Sequence, residues 1–402
     1  MTHPTAKTVF NFGAGPAVLP QQVLYRVQNE FLNYGNTGCS LMELSHRSSE
    51  FEQLINKASS DLCTLLSIPD SYQVMFMQGG GSTQFSAVVY NLAGCLQKPV
   101  DYIVTGVWSG KAAQEAQRLG VQVNIVISTA ATGHDGSMTV SPEHGTPTAS
   151  DLASPLYKFS GSDAAYIYYC DNETVNGVEL AADFVDHLPV ECRQVPVVCD
   201  MSSNILSRPF DITKYGLVFG GAQKNIGPAG VTVVVIRKDL LIDNSRRGSL
   251  GRGVVMPTML DYKVCAENNS LYNTPPTFAI YVSGLVFEWV MAAGGVSAMA
   301  EASNRKSKLL YDTIAKLDKF YRCAVKPGVR SRMNVPFRII RNGQPAPDLE
   351  KQFIIESEEQ GMMQLKGHRS VGGIRASMYN ALSIDAVECL VAFMQNFAAQ
   401  HS

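Results

Sequence analysis

Residues 195–237 read VPVVCDMSSNILSRPFDITKYGLVFGGAQKNIGPAGVTVVVIR. Three apolar runs lie within this stretch, at 196–200, 216–220 and 231–236. Each is continuously apolar instead of alternating with polar residues. That pattern suits strands covered on both faces of a mostly parallel sheet, although periodicity alone does not separate such runs from buried helix. Runs of the same kind recur upstream at 74–78, 102–106, 123–127 and 165–170, with helical patterns at 50–66 and 109–119. Strand–helix alternation implies right-handed crossovers and a doubly wound layer, so an α/β fold with a large, mostly parallel sheet is expected.

Beyond about residue 275 the pattern changes. Residues 278–293 read as one long helix closed by Gly294 and Gly295. Further on, Val387, Leu390, Val391, Met394 and Phe397 fall on one helical face, read as core packing. A large domain over 18–281 is expected, with a smaller α+β domain formed by 282–402 together with 1–17 and the helix near 278–293 as hinge. The Ser-, Thr-, Gly- and Pro-rich stretch 128–150 reads as a surface loop.

The chain has 402 residues, of which 46% are apolar and 17% charged, so it is neither disordered nor fibrous. Lys plus Arg total 33 and Asp plus Glu 35, and this balance argues against a nucleic-acid partner. No run approaches the roughly 20 apolar residues of a membrane span, and the N-terminus lacks the apolar core of a secretory signal. The 9 cysteines are scattered without a CxxC, which fits free thiols in a reducing cytoplasm. The 7 histidines form no ligand-spaced cluster, so no metal site is expected.

Ligands on open α/β sheets bind at the carboxyl ends of strands. Past 74–78 comes Gly79-Gly80-Gly81-Ser82-Thr83, past 102–106 comes Trp108, and past 165–170 comes Asn172-Glu173-Thr174. The run 196–200 ends in Asp200, and 216–220 is followed by Gln223-Lys224. The triple glycine lets backbone approach a phosphate at a helix N-terminus. Trp108 offers a face on which a pyridine ring can stack, Thr174 a hydroxyl. A carboxylate ending an apolar strand is costly without a partner, and a pyridinium nitrogen is one. A desolvated lysine loses its proton more easily and then forms an imine with an aldehyde.

These are the parts of a pyridoxal 5'-phosphate site. Read singly, each has a plainer account: a tight turn, a core tryptophan, a turn-capping threonine or aspartate, a solvated lysine. The strand-end carboxylate followed one strand later by a strand-end lysine is more specific than either alone. Three basic segments remain: Ser45-His46-Arg47, Lys366-Gly367-His368-Arg369 and Gly373-Ile374-Arg375. Arginine forks suit carboxylate and phosphate, so a substrate with two anionic ends is expected in preference to surface ion pairs.

The segments NFGAGPAVLP (11–20), LMELSHRSSEF (41–51), FMQGGGSTQFSAV (76–88), GGAQKNIGPAG (220–230), SLYNTPP (270–276) and KGHRSVGGIRAS (366–377) carry a resemblance over nearly the whole chain. The sequence resembles the phosphoserine aminotransferase family, in the class-V group of fold-type-I pyridoxal phosphate enzymes. The resemblance implies a homodimer with active sites at the interface. It implies ping-pong amino transfer from glutamate to 3-phosphohydroxypyruvate, giving O-phospho-L-serine and 2-oxoglutarate in serine biosynthesis.

It further implies that Lys224 holds the aldimine and moves the proton. Asp200 pairs with the ring nitrogen, Trp108 stacks on the ring and Thr174 meets its hydroxyl. Gly81, Ser82 and Gln223 bind the cofactor, mainly around its phosphate, which Asn273 and Thr274 reach from the neighbouring subunit. Arg375 takes the α-carboxylate, and His46, Arg47, His368 and Arg369 take the distal phosphate or carboxylate. The chain departs from the pattern at Ser82, where bacterial members often have Arg, and at Ala14, where some have Ser. The 128–150 stretch is longer than usual for the family. Alternatives in the same group are alanine–glyoxylate aminotransferase and cysteine desulfurase, for which Cys39 would be the thiol to check. A non-catalytic scaffold is a further alternative, against which Asp200, Lys224 and Arg375 together count.

Overall fold

Continuous apolar runs can be buried on both faces only between two layers of helix, and that is the arrangement found. In the computed structural model, residues 9–93, 98–132, 138–140, 152, 157–242 and 256–401 are described. A 7-stranded sheet holds β1 (Tyr72–Met77), β2 (Val100–Val104), β3 (Val123–Ser128), β4 (Ile167–Cys170), β5 (Val197–Asp200), β6 (Leu217–Gly221) and β7 (Thr232–Arg237). Its spatial order is β1-β7-β6-β5-β4-β2-β3. Strand β7 runs antiparallel to both its neighbours, and the other pairings are parallel.

Successive side chains point to opposite faces, so Val218 and Phe219 of β6 enter different cores. On one face Val218, Val233 and Val235 meet Phe51, Ile55 and Leu62 of helix α1 (Ser49–Leu66). On the other, Tyr102, Tyr168, Phe219 and Val234 meet Phe85 and Val88 of α2 (Gly80–Val88) and Ala112, Ala113 and Ala116 of α3 (Val107–Arg118). Each large apolar side chain buried here contributes about 1.5–3 kcal/mol. Ser48 caps α1 by accepting from the Phe51 N–H at 3.2 Å.

Helix α4 (Thr277–Ala292) packs on α1, where an added Cβ at Gly284 would stand 3.4 Å from that of Ala58. Gly294 (φ 100°) and Gly295 (φ 76°) then turn the chain by 82° into α5 (Gly295–Lys316). No single described helix is long and apolar enough to cross a membrane.

A separate core joins Phe12, Leu310 of α5, Val335 and Phe337 of β8 (Asn334–Arg341), and Ile374 of β9 (Ile374–Ser377). The stripe Val387, Leu390, Val391, Met394 and Phe397 of α6 (Ile384–His401) packs into the same core. The N-terminal pair Phe10–Asn11 lies parallel to Met362–Met363, and Phe10 packs against this core.

Buried charges link the segment before β8 to the chain around the central sheet. Arg332 Nη2 stands 2.6 Å from Glu179 Oε1, and Arg208 bridges Glu179 at 3.2 Å and Asp171 at 2.8 Å. Asn204 donates to Asp171 Oδ2 at 2.6 Å, and the Asp171 N–H donates to the Asp200 carbonyl at 3.0 Å. Burial alone would push the Glu179 carboxyl up, but Arg332 and Arg208 outweigh it and hold it below its ordinary value.

One expectation is corrected. The 128–150 stretch is not simply a loop: Ala130–Thr132 and Met138–Val140 pair as antiparallel strands. Its segments 133–137 and 141–150 lie outside the described residues. Ser, Thr and Gly are common to loops and to short hairpins, so composition did not separate the two.

Candidate active site

The carboxyl ends of β1, β4, β5 and β6 face one cavity of about 350 Å³. Gly81, Ser82, Trp108, Thr174, Asp200, Gln223, Lys224, His368 and Arg375 all line it. The turn into α2 depends on Gly79 (φ 95°), where an added Cβ would fall 2.1 Å from Thr83 Oγ1. No side chain caps α2, so its first N–H groups are left without a side-chain partner where Gly80, Gly81 and Ser82 line the cavity.

Asp200 closes β5 in a fully apolar strand. Its Oδ1 accepts from the Ser202 N–H at 2.9 Å, and the residue is 6% exposed. Burial pushes its pKa up, partly offset by Lys224 and the Ser202 bonds. A cation held against its other oxygen would relieve that cost. Lys224 follows β6, its Nζ 6.0 Å from the centre of the Trp108 ring. The next residue, Asn225, pins that loop: its Oδ1 accepts from the Asn380 N–H at 3.0 Å and its Nδ2 donates to the Ser203 carbonyl at 3.2 Å.

Trp108 sits in the first turn of α3 and donates from Nε1 to Thr174 Oγ1 at 2.9 Å. Thr174 thus keeps its own hydroxyl hydrogen to donate. Arg375 is half-buried, and its Nη1 donates to the Thr174 carbonyl at 3.1 Å. Burial pulls the Arg375 pKa down. Burial also lowers that of His368, with Arg375, Lys111 and Arg369 adding to the effect. This side of the cavity is therefore basic.

Sequence reasoning missed Lys111, whose Nζ stands 4.6 Å from the Trp108 ring centre, three residues along α3. It also missed Glu173, a carboxylate buried behind the tryptophan. The signal for Lys111 was helical spacing from Trp108; for Glu173 it was an acidic residue wedged beside a strand end.

Within one chain the remaining candidates lie elsewhere. Asn273 lines a second cavity of about 290 Å³, whose lining includes Gly79 and Thr83 and no residue of the Lys224 cavity, and the Thr274 carbonyl accepts from Gln78 Nε2 at 3.2 Å. His46 and Arg47 precede α1 and do not line the Lys224 cavity. Arg47 is exposed, and His46 Nε2 is buried with no partner among the described residues. Arg369 is exposed beside His368. Cys39 is not in the lining; the thiol that is, Cys170, is pushed well up by burial. Ala14 does line the cavity, its carbonyl held by Tyr379 Oη at 3.0 Å.

The donor set fits pyridoxal 5'-phosphate: a buried carboxylate, an amine on the adjacent strand, an indole face and a glycine-bounded helix end share one cavity. The family model for class-V aminotransferases matches residues 9–390, and the chain belongs to that family. A phosphoserine aminotransferase from Drosophila melanogaster is 48% identical over 391 residues, covering 97% of this chain and 98% of the relative. Within the family, then, the branch is that of the phosphoserine aminotransferases. The solved phosphoserine aminotransferase of Bacillus circulans subsp. alkalophilus superposes with a TM-score of 0.86 at 40% identity, covering 99% of this chain and 100% of that one. A pyridoxal-phosphate-bound phosphoserine aminotransferase from Trichomonas vaginalis gives a TM-score of 0.81 at 39% identity, covering 96% and 100%.

Proposed function

We propose that this cavity binds pyridoxal 5'-phosphate and transfers the amino group of glutamate to 3-phosphohydroxypyruvate, giving O-phospho-L-serine and 2-oxoglutarate. The observation that carries the reading is the placement of Asp200 and Lys224 at the ends of adjacent strands, in one cavity with Trp108. When bound, the cofactor supplies an aldehyde for the amino group and a ring that accepts electrons from the substrate carbon.

The chain's own residues do the rest. Asp200 keeps the ring-nitrogen proton in place, and Trp108 holds the ring plane. The N–H groups at Gly81 and Ser82, with Gln223, take the phosphate. Lys224 Nζ removes the proton from the substrate α-carbon and later returns it. Arg375 fixes the α-carboxylate. His368 and Arg369 take the distal anion. We assign His46, Arg47, Asn273 and Thr274 to the cavity of a second copy, in a homodimer, because within one chain they lie away from Lys224. Both amino acids carry an anionic end, so one basic pocket serves both half-reactions. The buried free thiols Cys170, Cys192 and Cys199 support a reducing, cytoplasmic setting.

A substrate panel tests this reading. With 2-oxoglutarate as acceptor, phosphoserine should exceed alanine and cysteine in kcat/KM by at least about 100-fold, because a pocket built for an anion is left unpaired by either. Equal rates for alanine would move the chain to another branch of the family, and a faster reaction of cysteine would favour desulfuration. Arg375→Ala should lower kcat/KM for glutamate and phosphoserine alike by about 100-fold, the loss of a charged hydrogen-bonded contact. Unchanged kinetics would remove Arg375 from the site.

A further inference from the structure

The short strand Asn172–Glu173 contributes a carboxylate that faces away from the cavity. Glu173 is 0% exposed. Its Oε2 accepts from the Trp108 N–H at 2.9 Å, and its Oε1 accepts from the Ser109 N–H at 2.8 Å and from Ser109 Oγ at 2.6 Å. Helix α3 has no side-chain cap of its own at Gly106. Glu173, more than sixty positions away in sequence, therefore satisfies the N–H groups of Trp108 and Ser109, while that of Val107 donates to Asn176 Oδ1 at 3.1 Å; a carboxylate here also suits the helix dipole.

The fit is tight. An added Cβ at Gly106 would fall 2.3 Å from Glu173 Cδ, so Gly106 is the residue that leaves room for this carboxylate. The neighbouring residue completes the link. Thr174 Oγ1 accepts from Trp108 Nε1, and the Thr174 carbonyl accepts from Arg375 Nη1. One dipeptide thus holds the backbone and ring of Trp108 and the guanidinium of Arg375.

We propose that Glu173 is a positioning residue: by clamping the first turn of α3 it sets the Trp108 ring over the cavity and, through Thr174, the place of Arg375. This deepens the assignment of Trp108 and Arg375 made above and rests on it. Burial pushes the Glu173 carboxyl up while the Ser109 and Trp108 donors pull it down. Its hydrogen bonds, and not an ion pair, are what offset its desolvation.

Two variants test the clamp by different routes. Glu173→Gln keeps the shape but turns one acceptor into a donor facing the Trp108 N–H. Gly106→Ala keeps the charge but displaces the carboxylate. In both, hydrogen exchange of the Trp108 and Ser109 amides in the as-purified protein should quicken by about 10- to 100-fold, since charge-assisted bonds guard them. In both, kcat/KM for glutamate and phosphoserine should fall by a common factor of about 10 or more, while amides of β5 and β6 keep their protection. Unchanged exchange at Trp108 and Ser109 in both variants would overturn the clamp, as would accelerated exchange with unaltered kinetics for both amino acids. If the unsubstituted protein itself failed to use phosphoserine, the functional reading would fall, while the exchange result would still judge the clamp.

Discussion

Lys224→Ala should abolish amino transfer, with kcat reduced by about 10⁴-fold. The expected loss is large because the same Nζ has two tasks, holding the cofactor covalently and carrying the substrate proton. No other described amine lines this cavity. Lys111 comes 4.6 Å from the Trp108 ring centre but is exposed and outside the lining, so it is not a substitute. The fold should survive, because Lys224 is only half-buried and its loop is pinned by Asn225 and not by the amine. Pyridoxal phosphate should still bind, noncovalently, through Asp200, Trp108 and the turn at Gly81. The checks are single-turnover rates with phosphoserine and the absorbance of protein freed of unbound cofactor by gel filtration. A variant turning over at the normal rate would contradict the role.

The second large effect falls on stability. Glu179→Gln should cost about 3–5 kcal/mol, because it leaves the Arg332 and Arg208 guanidinium groups without one of their two carboxylates in a buried site. Asp171 still faces Arg208, so Arg332 bears most of the loss. Since Arg332 precedes β8 while Glu179 and Arg208 lie beside the central sheet, the damage should appear as weaker coupling between the two hydrophobic cores. The pH dependence has a definite sign. The folded carboxyl of Glu179 is held below its ordinary value, so its contribution is present above the unfolded pKa of about 4.3 and is lost as pH falls through the folded value. The gap between the unsubstituted protein and Glu179→Gln should therefore narrow in acid. Denaturant midpoints at fixed protein and cofactor concentration measure it. A gap below about 1 kcal/mol at neutral pH would show that the network is not under load.

Much of this was legible in the residues, for physical reasons that also explain the remainder. Strands buried on both faces must be continuously apolar, so runs such as 196–200 and 216–220 mark β5 and β6 to within a residue. Strand direction leaves no such trace. VTVVVIR has the same composition whichever way it runs, and β7 is antiparallel. Asp200 and Lys224 stood out because charge at the end of an apolar strand is costly. Glu173 also lies beside the end of an apolar strand, but its partners are backbone N–H groups of a helix distant in sequence, so nothing in the sequence pointed to its role. The Glu179 network was hidden for a related reason: ion pairing between Arg332 and Glu179 is a property of the tertiary fold. His46 and Arg47 stood out as a basic segment and Asn273 and Thr274 by resemblance alone, and a single chain gathers none of the four around Lys224.

The central claim is that one pyridoxal molecule is gripped by Lys224 beneath Trp108. Borohydride reduction of the cofactor-loaded protein, followed by peptide mass mapping, tests it most directly. The phosphopyridoxyl label should be found on the peptide carrying Ala222-Gln223-Lys224-Asn225 and assigned to the lysine. A label confined to Lys111 or another lysine, or none after full loading, would contradict it.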